Sequence, residues 1–456
     1  MSERGPGNST PRSELRTPQY VVPYGKGEMS FQVPPGMRAT VVEPQPMQPV
    51  GDLPTAVRQA LDAPIGPRLR DLPQSRPGAR AVIVVTDSTR ACPDSALVPP
   101  LLDELNAGGV ADADITVLIG LGMHRPSTPQ EREQKLGPAV LGRVRVVDHD
   151  AEDPSALANL GTTGGALPVP IVLNRLLVEA DLLLATGIVE PHQYAGYSGG
   201  RKTAAIGAAG AATIAATHGP RFLDHPGTRL GNLVGNPFHE AVTEIAQRAG
   251  LAFILNVVCD GEQRVVAVRA GVPELAFDAL AALAARLYTV PVPHAYDMAV
   301  GGVGWPKDTN LYQASRAASY LFFAPRPVVR PGGAFIIPAR CEEGAGQGVG
   351  ERNFFAAMRD APSIEWILDD ARQNGYPPGQ QRAFILARVL SENPIIIVGA
   401  EQPEVIRQAR LDAAPTIEAA LAVAVARLGP RPGAAPPLEL LIVPHAMLTL
   451  PVVATS

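Results

Sequence analysis

The 456-residue chain is 46% hydrophobic and 18% charged, enough to bury sizeable cores and too long to be comfortable as one domain. A formal net charge of −5 and a pI near 6.0 give no electrostatic case for nucleic acid or an anionic membrane surface as main partner, so a small-molecule substrate fits better. Cys92, Cys259 and Cys341 are few, odd in number and widely spaced, which supports neither a disulfide framework nor a CxxC metal site.

Residues 1–27 read as a disordered tail: the start is polar, rich in Gly, Pro and Ser, and has no apolar signal-peptide core. No apolar run approaches the roughly 18 to 20 residues needed to span a bilayer, and the chain is placed in the cytoplasm. Segments 28–33 and 38–43 alternate like strands. The first strong strand is Ala81-Val-Ile-Val-Val85, whose carboxyl end carries Asp87-Ser-Thr-Arg90. A second, Ile115 to Gly120, leads into Gly122-Met-His-Arg125. Thr128, Pro129 and Glu131 then supply an N-cap, an N1 proline and a capping-box glutamate, so a helix starts there. After a third strand at 144–147, Asp181 to Val189 reads as a buried strand feeding Glu190-Pro-His-Gln-Tyr-Ala-Gly-Tyr-Ser-Gly-Gly-Arg-Lys202. Three strands thus end in Asp/Arg, His/Arg and Glu/His loops, which an open parallel sheet brings to one crevice.

Beyond Lys202, Thr203 to Thr217 reads as a continuous small-residue helix, followed by a loop with His218 and His225. A proline-marked linker at 288–295 opens a second unit with strand 296–302, then Trp305-Pro-Lys-Asp308 and a helix carrying Tyr312, Gln313 and Arg316. Its remaining strands fall near 333–338, 394–398 and 439–443, and 431–437 is a proline-rich loop. The fold class is therefore α/β, two α/β domains with a cleft between them. The N-terminal domain spans 28–288 and the smaller C-terminal domain 296–456, with a return of the last segment to the first domain left open.

Gly196 to Thr203 invites a phosphate-loop reading, but Arg201 stands where GxxxxGK[ST] requires its second glycine. Gly344 to Gly350 lacks the third glycine of a dinucleotide fingerprint and reads as a mobile glycine loop covering a site. The histidines lack HExxH spacing. His192, His218 and His225 could still build an ordinary zinc site, while His149, His239, His294 and His445 read as structural. Asp87 with Arg90, and Gln313 with Arg316, read equally as polar surface pairs or as anion-orienting groups.

Taken in order, Asp87-Ser-Thr-Arg90, Gly122-Met-His-Arg125, the Glu190 to Lys202 string, His218 and Tyr312-Gln-Ala-Ser-Arg316 resemble the nickel-dependent lactate racemase family. The resemblance implies a nickel pincer nucleotide tethered covalently to Lys202, made by dedicated cofactor-synthesis enzymes, with His218 as the protein ligand to nickel. Asp87, Ser88, Gly199 and Gly200 are expected at this cofactor, which makes 28–288 the cofactor-binding domain and the cleft between the domains a cofactor cleft. His124 and His192 match the acid/base pair: one histidine takes the C2 hydroxyl proton while hydride passes from C2 to the cofactor, and return to the other face inverts the centre. Arg90, Tyr312, Gln313 and Arg316 are expected at the substrate. The family carries lysine where this chain has Arg316, and a bidentate arginine points to a 2-hydroxy acid larger than lactate or one with a second carboxylate. Two alternatives stand beside this reading, a zinc-dependent hydrolase or lyase using His192, His218 and His225, and a non-catalytic binder of the nickel cofactor.

Overall fold

The computed structural model describes residues 18–72, 76–377, 380–429 and 436–454. Two six-stranded sheets organise the chain. In space the first runs Val265–Gly271, Leu251–Cys259, Leu182–Ile188, Ala81–Thr86, Ile115–Gly120, Arg145–Asp148, parallel except for its Val265–Gly271 edge. Every residue of Ala81–Thr86 and Leu182–Ile188 is buried, as β-branched and leucine-rich runs must be when helices cover both faces. From Ala81–Thr86 the chain winds outward through two further strands, then returns to lay Leu182–Ile188 on the other flank. That reversal leaves a crevice at the carboxyl ends of these two central strands.

The second sheet is entirely parallel, in the order Asp412–Ala414, Ile395–Val398, Val329–Pro338, Tyr296–Gly301, Leu438–Val443, Met37–Val41. Its last strand comes from the N-terminal part of the chain, which the sequence reading assigned to the first domain. The sequence reading also placed 18–27 in a disordered tail, yet Gln19–Tyr24 pairs antiparallel with Gly27–Gln32. Both corrections have one cause. Val22, Phe31 and Val33 complete an apolar cluster with Met298, Ile396, Ile442 and Leu421, partners about 270 to 420 residues away that no local pattern could name. Residues 1–17 of the expected tail, and most of the proline-rich loop at 431–437, lie outside the described residues.

Local expectations fared better where a cap decided them. Helix Pro129–Leu141 starts on the capping box, Thr128 Oγ1 accepting from Glu131 N (3.2 Å) and Glu131 accepting from Thr128 N (2.8 Å), a pairing worth about 1 kcal/mol. The linker forms strand Thr289–Val292, paired parallel with Leu450–Val453 of the last segment. The stretch 203–217 is not one helix: a π turn, Thr203–Gly207, precedes helix Ala211–Thr217, and Ala209 bridges to Leu173 between them. The Gly344 loop is tied down, Leu311 N donating to Gly344 O (2.9 Å) and Tyr312 N to Ala345 O (3.4 Å). No helix among the described residues is long and apolar enough to cross a membrane.

Candidate active site

The crevice at the strand reversal collects the loops after Thr86 and Ile188, with the loop after Gly120 beside them. Asp87 leaves the first strand and is buried. Its Oδ1 accepts from Thr89 N (3.1 Å) and Thr89 Oγ1 (2.7 Å), and its Oδ2 is joined to His124 Nδ1 across 37 residues. Burial alone would raise this carboxyl's pKa. The His124 hydrogen bond and charge, with Thr89 and Arg90, outweigh it and hold the pKa below the usual value. An ionised Asp87 fixes the His124 proton on Nδ1 and leaves Nε2 with its lone pair on the half-exposed side of the ring. Asp87 was expected at the cofactor, but both its oxygens already have protein donors. Ser88 is exposed, and the Arg90 side chain has no ion pair among the described residues.

His192 is held the opposite way. Its Nδ1 accepts from Tyr194 N and Ala195 N, each at 3.2 Å, so the proton of the neutral ring sits on Nε2. Burial, then the charges of Lys202, Arg90, His218 and Arg316, pushes its pKa well below the ordinary histidine value. The same neighbours show that the loops have met: groups separated by more than 200 residues in sequence act on one imidazole.

Lys202 ends a short turn on which Gly199 and Gly200 leave no room for side chains. A Cβ on Gly187 of the central strand would lie 2.5 Å from Gly200 N, and one on Gly199, at φ +148°, would meet Phe277 and Asn256. The two glycines expected at the cofactor let this turn pack closely on the strand, and Gly200 N donates to Asn256 Oδ1 (3.2 Å). Arg201, which breaks the phosphate-loop pattern, turns away from the crevice. It is buried with its guanidinium 3.9 Å from the Phe277 ring centre and bonded to Thr243 Oγ1 (2.9 Å). Burial, opposed only in part by Asp87 and Glu190 and reinforced by Arg90, lowers the Lys202 ammonium to about 7. Near neutral pH much of it is a free amine, the form that can make an amide.

His218 caps helix Ala211–Thr217. Its Nδ1 lies 3.0 Å from Ile214 O, an acceptor only, so Nδ1 carries the proton and Nε2 keeps its lone pair. Burial and then Lys202 push its pKa to about 3, so the ring is neutral over the whole working range. A neutral imidazole anchored to a carbonyl through its other nitrogen is how proteins present a metal ligand. Its ring packs on Tyr194 (4.8 Å) and edge-on to Phe238 (5.1 Å). His225 Nδ1 instead accepts from Gly227 N (3.1 Å), closing a turn. Among the described residues no three His, Cys, Asp or Glu side chains gather as a metal site, so the trio proposed for zinc is not assembled. One protein nitrogen fits a metal whose other donors arrive with a cofactor.

Residues 24–231 match the family described as the lactate racemase N-terminal domain, and residues 294–434 match the lactate racemase C-terminal domain. The chain belongs to the lactate racemase family. It is 34% identical over 386 residues to the lactate racemase of Thermoanaerobacterium thermosaccharolyticum, covering 83% of this chain and 87% of that protein. Identity to the lactate racemase of Lactiplantibacillus plantarum is 33% over 381 residues, 82% and 86% of the two chains. The solved apoprotein from T. thermosaccharolyticum superposes with a TM-score of 0.81 at 29% identity, covering 95% of this chain and all of that one. A Thermotoga maritima protein shares the fold alone, with a TM-score of 0.63 at 19% identity over 88% of this chain and 97% of that one.

This lactate racemase family member is thus an isomerase, and its second domain completes the crevice. Tyr312 and Gln313 lie on helix Leu311–Ala314, and Arg316 opens helix Arg316–Phe322. Arg316 donates to Gln313 Oε1 (3.2 Å) and to Tyr320 Oη (3.1 Å). Ser319, one turn on, places its hydroxyl 3.4 Å from Gln193 Oε1, beside His192. Tyr376 Oη donates to His218 O (2.5 Å), and Asp224 pairs with Arg372 (2.9 Å) and Arg388 (3.2 Å), so the His218 loop is latched to the second domain. Sequence reasoning passed over Tyr194, Tyr376 and Lys307, a lysine whose pKa burial lowers and on which Arg316 acts. It also passed over Arg382, whose only signal was one cation in an apolar run, Gln381-Arg-Ala-Phe-Ile-Leu-Ala387.

Proposed function

We propose that this enzyme racemises or epimerises a 2-hydroxy acid, lactate or a larger or dicarboxylic analogue, with a nickel pincer nucleotide tethered to Lys202. The observation that carries this is His218, neutral and anchored through Nδ1, close enough to feel the charge of a lysine that burial lowers to about 7. Lys202 would make the covalent tether and His218 would donate to nickel; when bound, the cofactor supplies a hydride acceptor and donor. Cofactor-synthesis enzymes are the partners implied, and the cytoplasm, where thiols such as Cys92, Cys259 and Cys341 stay reduced, suits the chain.

Arg90 would hold the substrate carboxylate from the first domain, with Gln313 and Arg316 closing from the second. His124 Nε2, its ring oriented by Asp87, would accept the C2 hydroxyl proton, a step worth about 10²–10⁴ in rate for a positioned base. His192 would serve the opposite face, presenting Nε2–H to the substrate oxygen.

Protein made with the cofactor-synthesis enzymes should carry an intact-mass adduct and about one nickel per chain. His218→Ala should lose the nickel, read by elemental analysis, while the mass adduct on Lys202 persists. Zinc without an adduct in the unmodified protein would sink the reading. The two histidines give a second expected result. To accept a proton on Nε2, His192 must first release the two backbone N–H groups from Nδ1, a change His124 does not need. The two enantiomers should therefore show different kcat values, while kcat/KM stays equal because the equilibrium constant for a racemisation is one. Matching kcat values in initial-rate polarimetry would remove the asymmetry.

A further inference from the structure

Two arginines of the second domain lie in the crevice without an ion pair among the described residues: half-buried Arg316, on which the Glu190 carboxylate acts without pairing, and buried Arg382, on which no carboxylate acts. Arg316 uses its two terminal nitrogens on Gln313 and Tyr320. Arg382, on helix Gln381–Leu390, is only 8% exposed, donates to Ser319 Oγ (3.0 Å) and spreads its guanidinium 5.6 Å from the Tyr312 ring centre. Among the described residues neither forms an ion pair, and the Nε of each has no hydrogen-bond partner. Other orphaned donors surround them: Gln193 Nε2 and Tyr194 Oη are unpartnered, on residues 4% and 7% exposed. Ser319 links Arg382 to Gln193, and the Tyr194 ring lies 5.9 Å from His192 and 4.8 Å from His218. Arg382 is thus joined through Ser319 to the Gln193-Tyr194 pair that flanks both histidines.

Burying like charges side by side without a counter-ion is costly, and unmade hydrogen bonds at buried donors add to the cost. Glu190 acts on Arg316 but not on Arg382, so a fold that keeps Arg382 buried needs an anion to arrive from outside. A monocarboxylate substrate supplies one negative group, already matched by Arg90 and Arg316 on the functional reading above. It leaves Arg382 uncompensated. We propose that Arg382, with Gln193 and Tyr194, forms a second carboxylate-binding element, so that the preferred substrate is a 2-hydroxy dicarboxylic acid. This rests on the racemase reading. Arg382 stands on the second domain beside Arg316, whereas Lys202 and His218 are in the first, which favours an anionic group of the substrate over one of the cofactor. The smallest chiral acid of this class is 2-hydroxysuccinate.

The test uses cofactor-loaded full-length enzyme with 2-hydroxysuccinate and lactate as probes, read as initial rates by chiral chromatography. The expected result is a kcat/KM at least ~100-fold higher for the dicarboxylate, since a site built to bond a polar group rejects the analogue lacking it. Arg382→Gln should raise KM for 2-hydroxysuccinate about 100-fold and change lactate turnover less than about threefold, with partial recovery in Arg382→Lys. A lactate preference, or equal losses on both acids in Arg382→Gln, overturns the proposal and leaves the racemase reading standing. Loss of nickel and adduct in Arg382→Gln also overturns it, because the anion would then be the cofactor's. A second readout is independent of turnover: millimolar 2-hydroxysuccinate should raise the thermal midpoint of the loaded protein where lactate does not, and Arg382→Gln should abolish the shift. That shift without any racemisation would keep the dicarboxylate site and sink the racemase; no shift and no racemisation sinks both.

Discussion

Lys202→Met is expected to lower racemisation by roughly 10⁴-fold or more and to raise the thermal midpoint of the cofactor-free protein by a few degrees. The activity loss follows from removing the only amine proposed to hold the cofactor, and intact mass should show no adduct. The stability gain follows from electrostatics. Burial lowers Lys202 to about 7 from an ordinary value of 10.5, so between these pH values the unfolded chain binds a proton that the folded chain does not. The native protein therefore loses stability as pH falls from about 10 to about 7, with no further loss from this group below that. Methionine removes the penalty, so the gap between variant and parent midpoints should widen down to about pH 7 and then stay constant. A midpoint below the parent at pH 6 would refute this account of Lys202. Stability given up at a reactive position is a frequent feature of active sites.

Asp87→Asn should cost roughly 10²–10⁴-fold in kcat while the fold stays intact. The carboxylate accepts only, which fixes the His124 proton on Nδ1; an amide can turn its NH₂ toward the ring, moving the proton to Nε2 and removing the lone pair that is to take the substrate proton. His124→Ala should fall in the same range, and the double variant should lose little more than the worse single, because the two groups act as one unit. Additive losses would separate them. The Asp87 pKa lies below its unfolded value, so its charge stabilises the native state above about pH 4 and that contribution disappears as pH falls through the native value. Near-neutral thermal midpoints of Asp87→Asn then need only a modest drop, whereas kcat should collapse.

The first prediction rests on a burial, and the second on a pairing, that neighbouring residues could not reveal. The sequence identified strands at 81–85 and 181–189, within a residue of the observed Ala81–Thr86 and Leu182–Ile188, because uninterrupted β-branched and leucine-rich runs suit a sheet covered on both faces. It marked the start of helix Pro129–Leu141 because a capping box is a four-residue code. Loops after those strands were legible as a site for the same local reason, each carrying charge or imidazole directly at a strand's carboxyl end. Roles within the site were less legible. Asp87 reads as a cofactor contact, and only the structure shows His124, 37 residues on, at its oxygen; Gly199 and Gly200 read as a cradle, and only the structure shows Gly187 and Asn256 packed against them.

What the sequence determined by itself is the set of short-range features: strand hydrophobicity, caps, the breaking of the phosphate-loop pattern by Arg201, and the ordered motifs that resemble the family. Only the tertiary structure decided that Met37–Val41 closes the second sheet against Leu438–Val443, that His124 and His192 carry their protons on opposite nitrogens, and that Arg382 lies buried beside Arg316. The physical reason is common to all three. Apolar clustering, tautomer choice and the need of a buried charge for a counter-ion depend on which groups are near in space, and in a doubly wound sheet those groups come from distant parts of the chain.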